Sequence, residues 1–144
     1  MNEITSLKMK AISLINEIFV PLGLKPIEDL PKACPKDGRE CVLAVILQSN
    51  PDWQDIFVSG SSAQFRNIKQ SFTDEEYSNI TIPSELNRFI HQFDSGNMPE
   101  LIDLESMDKY WSDGDPDGQI MMWHKMKDAG IDIGNRLEQE VTVV

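Results

Sequence analysis

The 144-residue chain predicts an α+β domain, and three observations predict it. Apolar residues recur at helical spacing from Asn2 to Val20, a pattern of strand, turn and strand runs from Ile56 to Arg66, and helical spacing returns in an acidic C-terminal third. The expected architecture is an N-terminal amphipathic helix, a buried second helix, a small antiparallel sheet and a helical acidic C-terminal third. The length suits one hydrophobic core, so 1–144 reads as a single domain whose acidic portion covers about 74–144.

In the first helix Ile4, Leu7, Ala11, Leu14, Ile15, Ile18 and Phe19 form one stripe, and Pro21 ends it. Pro21, Pro26, Pro31 and Pro35 then punctuate an extended connection whose Leu22, Leu24, Ile27 and Leu30 should lie against the core. Asp37 followed three residues later by Glu40 has the form of a capping box, which predicts a helix from Gly38 to Gln48. Its segment Cys41 to Leu47 is apolar on every side and would look the same as a buried strand; the capping box favours the helix. Ile56 to Val58 and Ala63 to Arg66 read as strands around a Ser59-Gly60-Ser61-Ser62 turn, with Asn79 to Ile82 as a third. Pro83 and Ser84 open a helix with Leu86, Phe89, Ile90 and Phe93 on one face and Gly96 past its end. Pro99 starts another, carrying Leu101, Leu104, Met107 and Trp111; Gln119 to Lys127 is helical again, and Val141 to Val144 reads as a short strand or a frayed end.

The chain has 24 acids against 13 bases, a net charge of −11. Eight acids balance eight bases up to Gln70, whereas Asp74 to Asp117 holds twelve acids against Arg88 and Lys109 alone. Such a field repels nucleic acid and anionic membrane, whose binding draws on Lys and Arg, and favours a cation or a basic protein surface. Solubility is the plainer use of the same charge. No apolar run is long enough to span a membrane, and two cysteines make no disulfide scaffold, so a cytoplasmic protein is expected.

The sharpest local pattern is Asp113-Gly114-Asp115-Pro116-Asp117-Gly118-Gln119-Ile120, the first half of an EF-hand calcium loop. Asp113, Asp115 and Asp117 would supply carboxylates and Gln119 its backbone carbonyl, but His124 stands where the bidentate Glu belongs. Any calcium affinity should therefore be weak, and a turn-rich acidic loop accounts for the same residues. Cys34, Cys41, His91 and His124 make a zinc set on paper, without finger or ribbon spacing. The plainer expectation is a buried apolar Cys41 and an exposed or half-buried Cys34. No Walker loop, dinucleotide fingerprint, HExxH or GxSxG is present, which leaves an enzyme unsupported and no other cofactor implied.

Met107, Tyr110, Trp111, Met121, Met122, Trp123 and Met126 surround the acidic loop, as core or as an adaptable interface. Cys34-Pro35, Cys41-Val42-Leu43-Ala44 and Ile82-Pro83 leading to Phe89-Ile90-His91-Gln92-Phe93-Asp94-Ser95-Gly96-Asn97-Met98-Pro99-Glu100-Leu101 together resemble elements of small proteins of bacteria and their phages. That resemblance implies a class of organism and no activity. The expected function is that of a small acidic non-catalytic binding protein, an inhibitor, immunity factor or regulator, presenting a negative surface to a basic protein partner. Mimicry of nucleic acid is one form this would take. The residues expected to meet the partner are Asp74, Glu75, Glu76, Glu100, Asp103, Glu105, Asp108, Trp111 and Trp123. The alternatives are a weak calcium module and an enzyme.

Overall fold

The computed structural model describes residues 3–59, 61–69, 77–110 and 116–137. Helix α1 (Glu3–Phe19) buries Leu7, Ala11, Ile15 and Phe19, one row of side chains each four residues from the last. Ile4, Leu14 and Ile18 lie partly buried beside that row, so the whole stripe faces the core. A 3-10 turn over Val20–Leu22 follows, with Pro21 in its first positions. Leu24 is buried and Ile27 and Leu30 half-buried, but Leu22 points to solvent at 44% exposure because the tight turn swings it outward. Asn16 holds the connection down: its Nδ2 donates to the Ile27 carbonyl at 2.9 Å, and its Oδ1 accepts from the Ile27 N–H at 2.8 Å.

Further along, Ala33 forms a parallel bridge with Ile102. The Ala33 N–H donates to Leu101 and the Asp103 N–H to Ala33, both at 2.8 Å. Helix α2 (Val42–Leu47) is buried except at half-buried Val45, as its apolar run requires. It begins after Cys41 rather than at Gly38, with no side-chain cap. The capping-box residues do other work. Asp37 Oδ1 accepts from the Arg39 N–H at 2.9 Å, an Asx turn, and the Glu40 carbonyl accepts from the Cys34 N–H at 2.9 Å.

The sheet is antiparallel, in the order β1 (Trp53–Ser59), β2 (Ser62–Asn67), β3 (Ser78–Thr81). Its inner face carries Trp53, Ile56, Val58, Ala63 and Phe65. Trp53 joins α1 to the sheet, its ring 6.4 Å from that of Phe19 and 4.4 Å from that of Phe65. Helix α3 (Ser84–Asp94) buries the four predicted residues, Leu86, Phe89, Ile90 and Phe93, and packs against α1.

The stretch expected as one helix from Pro99 is two elements, a 3-10 turn at Pro99–Leu101 and helix α4 (Leu104–Tyr110). The break falls where Ile102 turns extended and Ala33 bridges to it. Helix α5 (Pro116–Asp128) buries Met122 and Met126. It packs on the turn that ends α3, where a Cβ on Gly96 would lie 2.6 Å from the Met122 sulfur, and Gly96 itself has φ +81°. Lys125 Nζ donates there to the Ser95 carbonyl at 2.7 Å and to Asn97 Oδ1 at 3.2 Å. The buried apolar residues of all these elements form one cluster. No helix among the described residues is long and apolar enough to cross a membrane. Val141 to Val144 lie outside the described residues.

Candidate functional site

The residues expected to meet a partner divide three ways. Asp74, Glu75, Glu76 and Trp111 lie outside the described residues. Glu100, Glu105 and Asp108 are exposed, on the Pro99–Leu101 turn and on α4, where Glu105 and Asp108 stand three residues apart and share a face. Asp103 and Trp123 are half-buried.

Several of these acids already have cationic neighbours from distant parts of the chain. Glu100 is paired with Lys8 of α1. Asp108 holds Arg136 in a fork, with Oδ2 2.5 Å from Nη2 and Oδ1 3.3 Å from Nε. That fork, outweighing the opposite pull of partial burial, holds the Arg136 pKa above the usual guanidinium value. Lys10 and Arg88 likewise meet Glu85 and Glu3. Asp103 starts α4, its Oδ1 accepting from the Glu105 N–H at 3.2 Å and its Oδ2 from the Ser106 hydroxyl at 3.1 Å. The local excess of acid is thus partly matched by Lys8 and Lys10 from the neutral half and by Arg136 from the C-terminal end, while Arg88, one of its own two bases, pairs with Glu3.

Met107, Met122 and Met126 are core, while Met121 is 42% exposed. Half-buried Trp123 carries a buried indole N–H with no hydrogen-bond partner.

Of the calcium set, Asp113 and Asp115 lie outside the described residues, and Asp117 and Gln119 sit in the first turn of α5. A helical Gln119 turns its carbonyl along the helix axis toward the amide four residues on, not back toward the loop. Among the described residues no group of three or more His, Cys, Asp or Glu is placed to hold a metal ion. Cys34 and Cys41 are both buried and free, which corrects the exposed or half-buried Cys34 expected from sequence. The chain folds the 34–41 loop back on itself, taking Cys34 inside. Burial, reinforced for Cys34 by surrounding carboxylates, pushes the thiols up to about 12 and about 11 respectively, so neither is a ready nucleophile. His91 and His124 are exposed.

Two hollows lie near that loop. One, of about 300 Å³, is lined by residues that include Gly38, Cys41, Ile90 and Asp94. Asp94 Oδ1 accepts from the Lys36 N–H at 2.8 Å, which fixes Lys36 in its left-handed conformation at φ 61°. Burial pushes the Asp94 carboxyl above 3.8, against the opposing pull of the Lys36 N–H and the charges of His91 and Lys36. The neutral acid therefore suits the fold better than the anion. Its stabilisation is full below 3.8 and is lost as pH rises through the folded-state value. Asp94→Asn, which keeps an acceptor for Lys36, is expected to be more stable than wild type in urea at pH 7, with the gap closing toward pH 4. A less stable variant at pH 7 would show that the charge is needed. Asp94→Ala, lacking the acceptor, should lose stability at both.

The other hollow, of about 400 Å³, opens on the outer face of the sheet and is lined by Arg39, Asp55, Phe57, Gln64 and Tyr77. None of the five was expected as a site residue. One signal was available: in the run Ile56-Phe57-Val58 a strand turns its middle residue away from its neighbours, so one large apolar side chain had to face out. No protein-family model, curated protein or solved structure matches the chain.

Proposed function

We propose that the chain is a small acidic non-catalytic binding protein, of the inhibitor, immunity or regulator kind, that offers its C-terminal portion to a basic protein surface. The observation that carries this is the placement of charge: twelve acids against two bases between Asp74 and Asp117 in a chain of net charge −11. Glu105 and Asp108 on the outer face of α4, and Glu100 nearby in the chain, supply exposed carboxylates for such a partner. The pair Glu100 makes with Lys8 has its carboxylate at the surface, where such pairs are typically worth about 0–1 kcal/mol, so a partner's Lys and Arg side chains can compete for it; the Asp108–Arg136 fork is the firmer of the two. The half-buried Trp123 adds an amphipathic residue of the kind enriched at interfaces. Nucleic-acid mimicry is the form this takes if the partner is itself a nucleic-acid-binding protein.

The test is affinity capture from the source organism with the full chain and with Glu105→Lys. A basic protein should be retained, be released by raised salt, and be retained about tenfold less by the variant. Retention indifferent to both salt and the charge reversal would refute the proposal.

A further inference from the structure

The outer face of the sheet departs from regular alternation. The register of β1 against β2 shifts between Gln54 and Phe57, and Asp55 adopts φ 54°, a left-handed conformation uncommon for any residue but glycine. The bulge leaves Gln54 and Asp55 both outward, Ile56 inward and Phe57 outward again. Phe57 and Tyr77 are 39% and 42% exposed, an uncommon state for two aromatic side chains lining one hollow. Strain of this sort, beside a hollow, points from geometry toward use.

Arg39 is held over Phe57, its guanidinium carbon 5.4 Å from the ring centroid. The backbone that delivers it is fixed at several points. Gly38 accepts from the Val58 N–H at 2.8 Å, the Arg39 N–H donates to Asp37 at 2.9 Å, and the Arg39 carbonyl accepts from Gln48 at 2.6 Å. Gly38 has no room for a side chain, since a Cβ there would come within 2.6 Å of the Val58 carbonyl oxygen and 2.7 Å of the Phe57 ring. Neighbouring Arg66 is engaged by Asp55 at 3.4 Å and Gln54 at 2.9 Å. Arg39, by contrast, has no carboxylate partner among the described residues, in a chain where acids outnumber bases 24 to 13.

We propose that this hollow binds a small ligand that joins a planar ring to a single anionic group. The ring lies against Tyr77 and Phe57, the anion takes the fork of Arg39, and the Gln64 amide reaches the ring edge as donor or acceptor. A guanidinium already stacked on an aromatic ring loses little freedom on accepting a carboxylate or phosphate in bidentate fashion. The size of the hollow is that of small-molecule sites. The overall charge selects for smallness: a nucleic-acid strand would meet the repulsion of the whole chain, whereas one anionic group at Arg39 meets a local cation, the Asp55 carboxylate that lines the same hollow being engaged by Arg66.

Calorimetric titration of the full chain with 4-hydroxybenzoate and with adenosine 5′-monophosphate separates the two sources of this chemistry, with adenosine and inorganic phosphate as half-ligands. One ring-bearing anion should bind more tightly than either half, and Arg39→Gln should weaken it about tenfold or more. Arg39→Lys should recover only part, having no fork, and Lys127→Gln on α5 should bind as wild type. Gly38→Ala, which displaces Arg39 from Phe57, should weaken binding even where urea denaturation shows it folded. The proposal is overturned if no probe binds, if inorganic phosphate binds as tightly as the ring-bearing anions, or if Arg39→Gln leaves the affinity unchanged.

Discussion

Replacing Phe89 with alanine is expected to lower stability by about 3–5 kcal/mol. Phe89 is fully buried on the face of α3 that packs toward α1, among side chains that are themselves buried and cannot move into the space. The lost contacts and the cavity both count, because a close-packed interior relaxes only partly around a deleted side chain. Domains of this size are stable by about 5–15 kcal/mol, so the variant should sit near the edge of folding. Urea denaturation followed by tryptophan fluorescence measures it, Trp53 being part of the same core. Arg88→Ala supplies the contrast, since its pair with Glu3 is exposed and should be worth less than about 1 kcal/mol. A loss below about 1 kcal/mol at Phe89 would mean that the α1–α3 contact is not the packed interface described.

The second large effect belongs to Asn16. One amide side chain satisfies both the N–H and the carbonyl of Ile27, so Asn16→Ala removes two hydrogen bonds and strands two backbone groups at a half-buried site. A loss of about 1–3 kcal/mol is expected. Asn16→Asp refines the cause: the carboxylate still accepts from the Ile27 N–H but opposes its carbonyl, so at neutral pH the variant should be destabilised and acid should restore part of the loss. Equal stability of wild type and Asn16→Ala would show that the connection is held by buried Leu24 and half-buried Ile27 and Leu30 alone.

Much of the fold was legible because its helices follow a single rule. The stripe of α1 and the Leu86, Phe89, Ile90, Phe93 face of α3 are periodic patterns whose burial the structure shows residue by residue. The three short strands were legible in position, though β1 begins at Trp53, earlier than its apolar run. What failed depended on distant partners. Asp37 and Glu40 have the spacing of a capping box, but the 34–41 loop spends their backbone and side-chain groups on an Asx turn and on Cys34. The sequence reads as a loop through Gly118 with a helix only from Gln119, because Pro116 signals a turn as readily as a helix start; the structure uses it as the latter, and α5 begins there.

The candidate sites were less legible than the fold. Charge asymmetry is a sum over residues and survives without coordinates, whereas the pairing of Lys8 with Glu100 or Arg136 with Asp108 joins segments far apart in sequence. The hollow on the sheet needs three such coincidences at once: a bulge at Asp55, a loop delivering Arg39, and Tyr77 placed ahead of β3. No period or spacing encodes them.

The Ala33–Ile102 bridge also bears on the order in which the molecule assembles. Its two hydrogen bonds close a span of chain that includes α2, the whole sheet and α3. Closing so long a loop has an entropic cost that is offset only once the intervening elements have packed, so the bridge belongs to the late steps of folding. The amides of Ala33 and Asp103, though they sit in irregular backbone, then exchange with solvent only when the molecule opens broadly. The neutral first half and the acidic remainder are joined by this clasp, and neither can be released without undoing it.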